Sequence, residues 1–150
     1  MVSGCAEQSA PEAFFCPQEQ CGERITLAIN NAKASVDIAA YAITDEQIAK
    51  ALEEAARRGA KVRVIGDKLQ ANSKYSKLLE LEEKGVETRV SKSGLMHNKF
   101  IVIDGQLVVT GSFNYTENAN TKNSENIIFV HDTKTAQRYS NEFFSLWVAS

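Results

Sequence analysis

The sequence predicts a mixed α/β fold: a largely parallel β-sheet flanked by helices on both faces, followed by a C-terminal antiparallel hairpin. Three observations carry this expectation. Strand-like apolar runs at residues 35–43, 61–66 and 86–90 alternate with segments of helical periodicity, the order that builds parallel βαβ units. Asp104-Gly105 separates two further strand-like runs, 99–103 and 107–110, and is a dipeptide that tight hairpin turns favour. Finally, 150 residues with 43% hydrophobic content and 2 prolines suit one globular domain with a true core.

The elements follow in order. Residues 1–11 are small and polar and read as a flexible tail ahead of a single domain over 12–150. Ala13-Phe14-Phe15 suggests a short first strand. Within 22–34, Ile25, Leu27, Ala28, Ile29 and Ala32 recur near helical spacing. The run SVDIAAYAI at 35–43 is nearly continuous in apolar residues, as expected of a strand covered on both faces. Thr44-Asp45-Glu46 offers a cap and early acids for a helix over about 46–58. Gly59 then stands where a left-handed residue ends helices. KVRVIG at 61–66 alternates as a strand, 73–84 reads as an amphipathic helix closed by Gly85, and 86–90 returns as a strand. Beyond the hairpin, 125–130 is another strand, and Asp132 caps a last helix over 133–148 with Phe143, Phe144, Leu146 and Trp147 as core.

Bulk charge points nowhere in particular: the net charge is −2 and the pI about 5.7, so no global polyanion footprint exists. Locally, residues 57–92 hold ten basic against five acidic side chains. That excess of +5 reads either as solvated helix faces or as a polyanion-facing side. No apolar run has the length of a membrane span. The three cysteines, Cys5, Cys16 and Cys21, all lie near the start. Cys16 and Cys21 leave a local disulfide, a weak metal pair and free thiols all open. Val2-Ser3-Gly4-Cys5 looks like the end of a bacterial lipoprotein signal, with chance as the plain alternative. Processing there would anchor the chain through Cys5 and place it at the bacterial envelope or periplasm ahead of the cytoplasm.

Chemistry concentrates at 96–126. His97 and Lys99 share a strand face, since side chains alternate. A two-residue turn at Asp104-Gly105 would set Lys99 opposite Thr110 and His97 opposite Ser112, with Asn114 a diagonal neighbour; a bulge at Gly111 would shift the last two. Each residue has a bland reading alone. His97 could be structural, Lys99 could reach out from a sheet edge, Ser112 and Asn114 could cap a loop, and Glu125 could be an edge charge. Asp104 is fully explained as a turn residue. Together they form an unusual polar constellation on strands. His131, beside the Asp132 cap, has no such company and reads as structural.

His97-x-Lys99-x4-Asp104, then Gly111-Ser112-x-Asn114, resembles the HKD signature of the phospholipase D superfamily. The resemblance extends through Thr121 to Asn126, where Glu125 matches the downstream glutamate. It is nearest to the short bacterial Nuc-like endonucleases, which carry one copy of the motif, and covers the chain from about Phe14 to the final helix. It implies a metal-independent phosphodiesterase with no cofactor. His97 would be the nucleophile, forming a phosphohistidine; Lys99 and Asn114 would bind phosphate oxygens, and Ser112 would position within that shell. Glu125 would orient the imidazole, and Asp104, counted with the catalytic motif, would serve largely as structure. One motif supplies one histidine, whereas the leaving oxygen needs an acid on the far side of phosphorus. A homodimer sharing one site is therefore expected.

The favoured substrate is DNA, with RNA as a further polymer of the same chemistry. The runner-up is phospholipid, in the manner of a phospholipase D or cardiolipin hydrolase. A binding module that keeps the fold without turnover is the third reading, and the intact polar set speaks against it.

Overall fold

The computed structural model describes residues 9–92 and 94–150; the lipoprotein-like Val2-Ser3-Gly4-Cys5 and most of the expected tail lie outside the described residues. One seven-stranded mixed sheet runs through the molecule in the order β1-β7-β6-β5-β2-β3-β4. Its strands are β1 (Glu12–Cys16), β2 (Ser35–Ala40), β3 (Lys61–Gly66), β4 (Glu87–Val90), β5 (Lys99–Ile103), β6 (Leu107–Gly111) and β7 (Glu125–His131). On one face pack α1 (Cys21–Asn31), α2 (Glu46–Arg57) and α4 (Leu78–Glu83), burying Ile25, Ile29, Ile48, Leu52 and Leu81 against Ile38, Val64 and Ile101. On the other, α6 (Thr133–Val148) buries Ala136, Phe143 and Trp147 against Ala39, Ile65, Phe100, Val102 and Val108. Two short helices, α3 (Lys68–Ala71) and α5 (Glu117–Thr121), lie in the loops after β3 and β6.

Local sequence accounts for most boundaries. Asp45 accepts the N–H groups of Gln47 and Ile48 at 2.9 and 3.0 Å, satisfying free donors at the start of α2. Asp132 does the same for Thr135 at the start of α6. β2 is covered on both faces, with Val36, Ile38, Ala39 and Ala40 all at 0% exposure, which explains its unbroken apolar run. Its one charge, Asp37, is buried but held by both Nε and Nη2 of Arg63 at 2.7 and 2.8 Å, so the carboxylate is not left unpaired.

The mixed α/β architecture is as expected, but the sheet is mostly antiparallel. Only β2–β3 and β3–β4 are parallel among six adjacencies. Two placements make it so: β5 takes the position beside β2 and runs antiparallel to it, and β1, rather than opening a parallel series there, crosses to the far edge and pairs antiparallel with β7, where Phe14 meets Phe129 edge-to-face at 5.7 Å. The expected helix over 73–84 is also shorter. Ser73 and Ser76 hydroxyls accept the N–H groups of Tyr75 and Leu78, and such local bonds compete with helix formation; α4 starts only at Leu78. A separate turn of helix, α3, precedes it.

The hairpin register differs by one residue. Asp104 and Gly105 both have positive φ, 53° and 63°, and Gln106 N–H closes the turn on Ile103 O at 3.0 Å. The ladder resumes only at Leu107, which pairs with Ile103, and Phe100 faces Thr110. Gln106 is thus an extra residue on one arm, and the expected pairing of Lys99 with Thr110 does not occur. Cys16 and Cys21 form a disulfide with Cα atoms 5.7 Å apart, resolving the alternatives left open for them.

Candidate active site

The carboxyl ends of β2, β3 and β6 meet the amino ends of β5 and β7 at one end of the sheet, as the pairs Ala40–Lys99 and Gly111–Ile127 record. Here the chain places Tyr41, His97, Lys99, Ser112 and Glu125. His97 is exposed, and its imidazole stands against the Tyr41 ring at 4.6 Å between centroids and 65° between planes. Half-buried Lys99 donates from Nζ to His97 O at 2.9 Å and lies 5.1 Å from the Tyr41 ring centre. Burial pushes the Lys99 ammonium below the ordinary lysine range, while the Glu125 charge pulls it partly back.

Glu125 forms the second half of the site. Ser112 Oγ donates to Glu125 Oε2, and Asn123 Nδ2 donates to Oε1 at 3.2 Å. Ser112 Oγ in turn accepts the Asn126 N–H at 3.1 Å. Gly111 makes this junction possible: a Cβ there would lie 2.1 Å from Asn126 O, so only glycine lets the two backbones come this close. That contact brings Ser112 to Glu125, while the expected pairing of Ser112 with His97 does not occur, the ladder ending at Phe100 and Thr110.

Three candidates sit differently from the expectation. The hydrogen bonds of Glu125 go to Ser112 and Asn123, and none among the described residues goes to His97, whose ring is met by Tyr41 instead. Asn114 Oδ1 is buried with no hydrogen-bond partner among the described residues, His97 and Lys99 included, an uncommon state for a buried carbonyl oxygen. Asp104 lies at the opposite end of β5. Its carboxylate accepts the N–H groups of Lys33, Ala34 and Ser35 at 2.9, 2.7 and 2.9 Å. The structure therefore gives Asp104 a folding role away from the His97–Lys99 pair. His131 is at that far end too, paired with Leu107. A cavity of about 370 Å³ between α1 and the sheet, lined by Phe14, Leu107, Phe129, Asp104 and His131, belongs to the same far end.

The basic excess over 57–92 is partly spent on structure. Arg58 donates to Ile29 O and Asn30 O, Arg63 binds Asp37, Arg89 donates to Trp147 O, and Lys77 and Lys84 bridge to glutamates. Lys68, Lys74 and Lys92 have no such ion pair among the described residues. No group of three or more His, Cys, Asp or Glu among the described residues is arranged to hold a metal ion. No helix among the described residues is long and apolar enough to cross a membrane.

Sequence reasoning missed Tyr41 and Asp67, although a signal existed. Both stand just past the carboxyl ends of the parallel strands β2 and β3, where open α/β sheets gather their sites.

Comparison with known proteins finds relatives of the chain over most of its length. The family described as "Cardiolipin synthase, PLD-like domain" matches residues 25–147. A phospholipase D of Rickettsia prowazekii is 39% identical over 132 residues, 87% of this chain and 64% of that protein. A mitochondrial cardiolipin hydrolase of Chlamydomonas reinhardtii is 34% identical over 120 residues, 79% of this chain and 54% of that protein. The chain thus spans less than two thirds of the length of these relatives. Among solved structures, Nuc of Salmonella typhimurium, a phospholipase D family member, superposes with a TM-score of 0.87 at 29% identity, covering 93% of this chain and 95% of that one.

Proposed function

The chain belongs to the phospholipase D-like family, and from that premise we propose that it is a metal-independent phosphodiesterase, cleaving DNA, and RNA by the same chemistry, through a phosphohistidine at a site shared by two copies. The observation that carries this is that an exposed imidazole, His97, and a half-buried ammonium, Lys99, which donates to the His97 carbonyl, both stand against the Tyr41 ring at a sheet end where Glu125 and Ser112 complete a polar rim. Attack on a phosphodiester needs a nucleophile and positive charge for the phosphate oxygens. His97 supplies the first and Lys99 the second, with the Asn114 side chain as a further phosphate ligand.

In the first step an imidazole nitrogen forms a bond to phosphorus as the P–O bond to the leaving group breaks, and an acid opposite protonates that oxygen. In the second, water attacks phosphorus, gives up a proton to the same group, and the P–N bond breaks. The acid must sit across the phosphate from His97. His131 is at the opposite end of the strands, so His97 of a second copy takes the role, related by a two-fold axis.

The test is incubation of wild type and His97→Ala with plasmid, single-stranded DNA, RNA and cardiolipin, all in EDTA. Cleavage of nucleic acid that survives EDTA and vanishes in His97→Ala is expected. Loss in EDTA with recovery on adding a divalent ion would overturn the metal-independent chemistry. Full activity in a sedimenting monomer would overturn the shared site. A phospholipid reading has its own support: two relatives are named for lipid substrates, and Leu69 and Leu95, 73% and 61% exposed, flank the His97 segment. Cardiolipin hydrolysis without nucleic-acid cleavage would establish it.

A further inference from the structure

Two separate holds on the His97 segment start from one corner of the fold, where β3 passes into α3. The first is a buried carboxylate. Asp67, 1% exposed, accepts the N–H groups of Leu69 and Gln70 on Oδ1 at 2.9 and 3.2 Å, and that of Met96 on Oδ2 at 3.1 Å. One side chain therefore fixes both the start of α3 and the residue immediately before His97. The second hold is Gln70, whose Nε2 donates to the Tyr41 hydroxyl at 3.2 Å. The Tyr41 ring is the surface against which the His97 imidazole stands, and the Lys99 ammonium lies 5.1 Å from its centre. Tyr41 is fixed at the backbone as well, its N–H donating to Asn98 O at 2.9 Å.

We infer that Asp67, Gln70 and Tyr41 are positioning residues for the proposed reaction: Asp67 sets the backbone ahead of His97, and the Gln70–Tyr41 pair sets the direction of the imidazole and keeps Lys99 beside it. This rests on His97 being the nucleophile. No protein hydrogen bond to the imidazole occurs among the described residues, so without the Tyr41 ring an exposed histidine would sample several rotamers. In-line attack uses only one orientation, and spreading the imidazole over others lowers the rate of the chemical step while leaving substrate binding nearly intact.

The test combines turnover of bis(4-nitrophenyl) phosphate with NMR of the ring protons of His97 in protein labelled at histidine. Tyr41→Leu removes the ring: the His97 signals move toward those of an exposed histidine, kcat falls about tenfold or more, and KM stays within about twofold. Tyr41→Phe keeps the ring and loses the bond to Gln70; Gln70→Ala loses the same bond from the other side. Each lowers kcat about threefold, and the double variant loses no more than either alone, because one interaction is removed in all three. Unmoved His97 signals, additive losses, or a change in KM in place of kcat would overturn the proposal. Should Tyr41→Leu fail to fold, Gln70→Ala and Tyr41→Phe carry the test, since both leave the packed ring in place. His97→Ala measured alongside separates the two readings. Activity retained there defeats the nucleophile assignment, while the His97 signals in the other variants report on positioning independently.

Discussion

The two ends of β5 show how differently one short motif can use its polar residues. At the turn end, Asp104 is spent on the fold: three backbone N–H groups converge on its carboxylate, and its own N–H donates to Ser35 O at 2.9 Å. At the other end, the His97 imidazole is exposed and stands against the Tyr41 ring, and the half-buried Lys99 ammonium donates to the His97 carbonyl. Five residues apart in a spacing read as one signature, Lys99 and Asp104 thus stand in different settings: in the proposed reaction Lys99 serves the chemistry, while Asp104 holds the geometry that delivers it. Side chains at the turn end should govern stability, and those at the site end should govern turnover.

The largest effect that separates the ends is on turnover. His97→Ala should lower activity at least about a thousandfold, since a nucleophile has no substitute within the chain. Its urea midpoint should stay near that of wild type, because an exposed side chain away from caps and core contributes within about 0.5 kcal/mol. A large loss of stability would mean that His97 is part of the scaffold after all. Asp104→Ala should do the reverse. Three N–H groups would lose a charged acceptor, costing about 2–3 kcal/mol in urea unfolding, while turnover per folded molecule changes little.

The pH dependence of that contribution follows from the carboxylate. Burial alone would raise the Asp104 pKa, but the N–H groups of Ser35, Lys33 and Ala34 outweigh it and hold it below the ordinary 3.8. The native state therefore favours the ionised form. Its stabilisation is complete above the unfolded pKa and is lost as pH falls through the lower, folded one. The gap in stability between wild type and Asp104→Ala should accordingly narrow in acid; a gap constant with pH would show that the charge contributes nothing.

A smaller effect is expected where the far edge of the sheet meets the site. Cys16 pairs with Glu125 in the β1–β7 ladder, and its disulfide to Cys21 fastens β1 to α1 next to that residue. Closing so short a loop is worth about 2 kcal/mol in the chain-entropy description. The double variant Cys16→Ala, Cys21→Ala should lose that much in urea unfolding, with a modest loss of turnover. Unchanged stability would mean that the bond constrains neither state.

Much of this was legible in the sequence, and the failures have specific causes. The strands, a cap within Thr44-Asp45-Glu46 and the cap Asp132 followed from period and cap chemistry, and the motif marked His97, Lys99, Ser112 and Asn114, with Glu125 behind, as the candidate set. The hairpin register did not, because nothing in Asp104-Gly105 announces that Gln106 will be an extra residue outside the ladder. The place of β1 did not either: a strand of five residues with one partly buried face can pair at either edge, and its contact with Phe129 lies more than a hundred residues away. Tyr41 escaped notice because it sits inside an apolar run, where an aromatic residue reads as core. Its hydroxyl and its partner Gln70 are linked only by the parallel pairing of β2 with β3.

The finest test of the two-ended picture concerns the charge on Lys99. Burial lowers its pKa and Glu125 raises it, so the ammonium depends on a carboxylate at its own end of the sheet. Removing that charge with Glu125→Gln, which keeps a polar side chain for Ser112 and Asn123, should lower the Lys99 pKa further. Lys99 would then give up its proton at lower pH, and the basic limb of the pH–activity profile should move down relative to wild type. Asp104→Asn removes a negative charge as well, but at the far end of β5, and should leave that limb where it is. If both variants shift the limb equally, the effect is one of overall charge and the ends are not electrostatically separate. If neither does, the basic limb reports a group other than Lys99, and the ammonium is not the charge on which turnover depends.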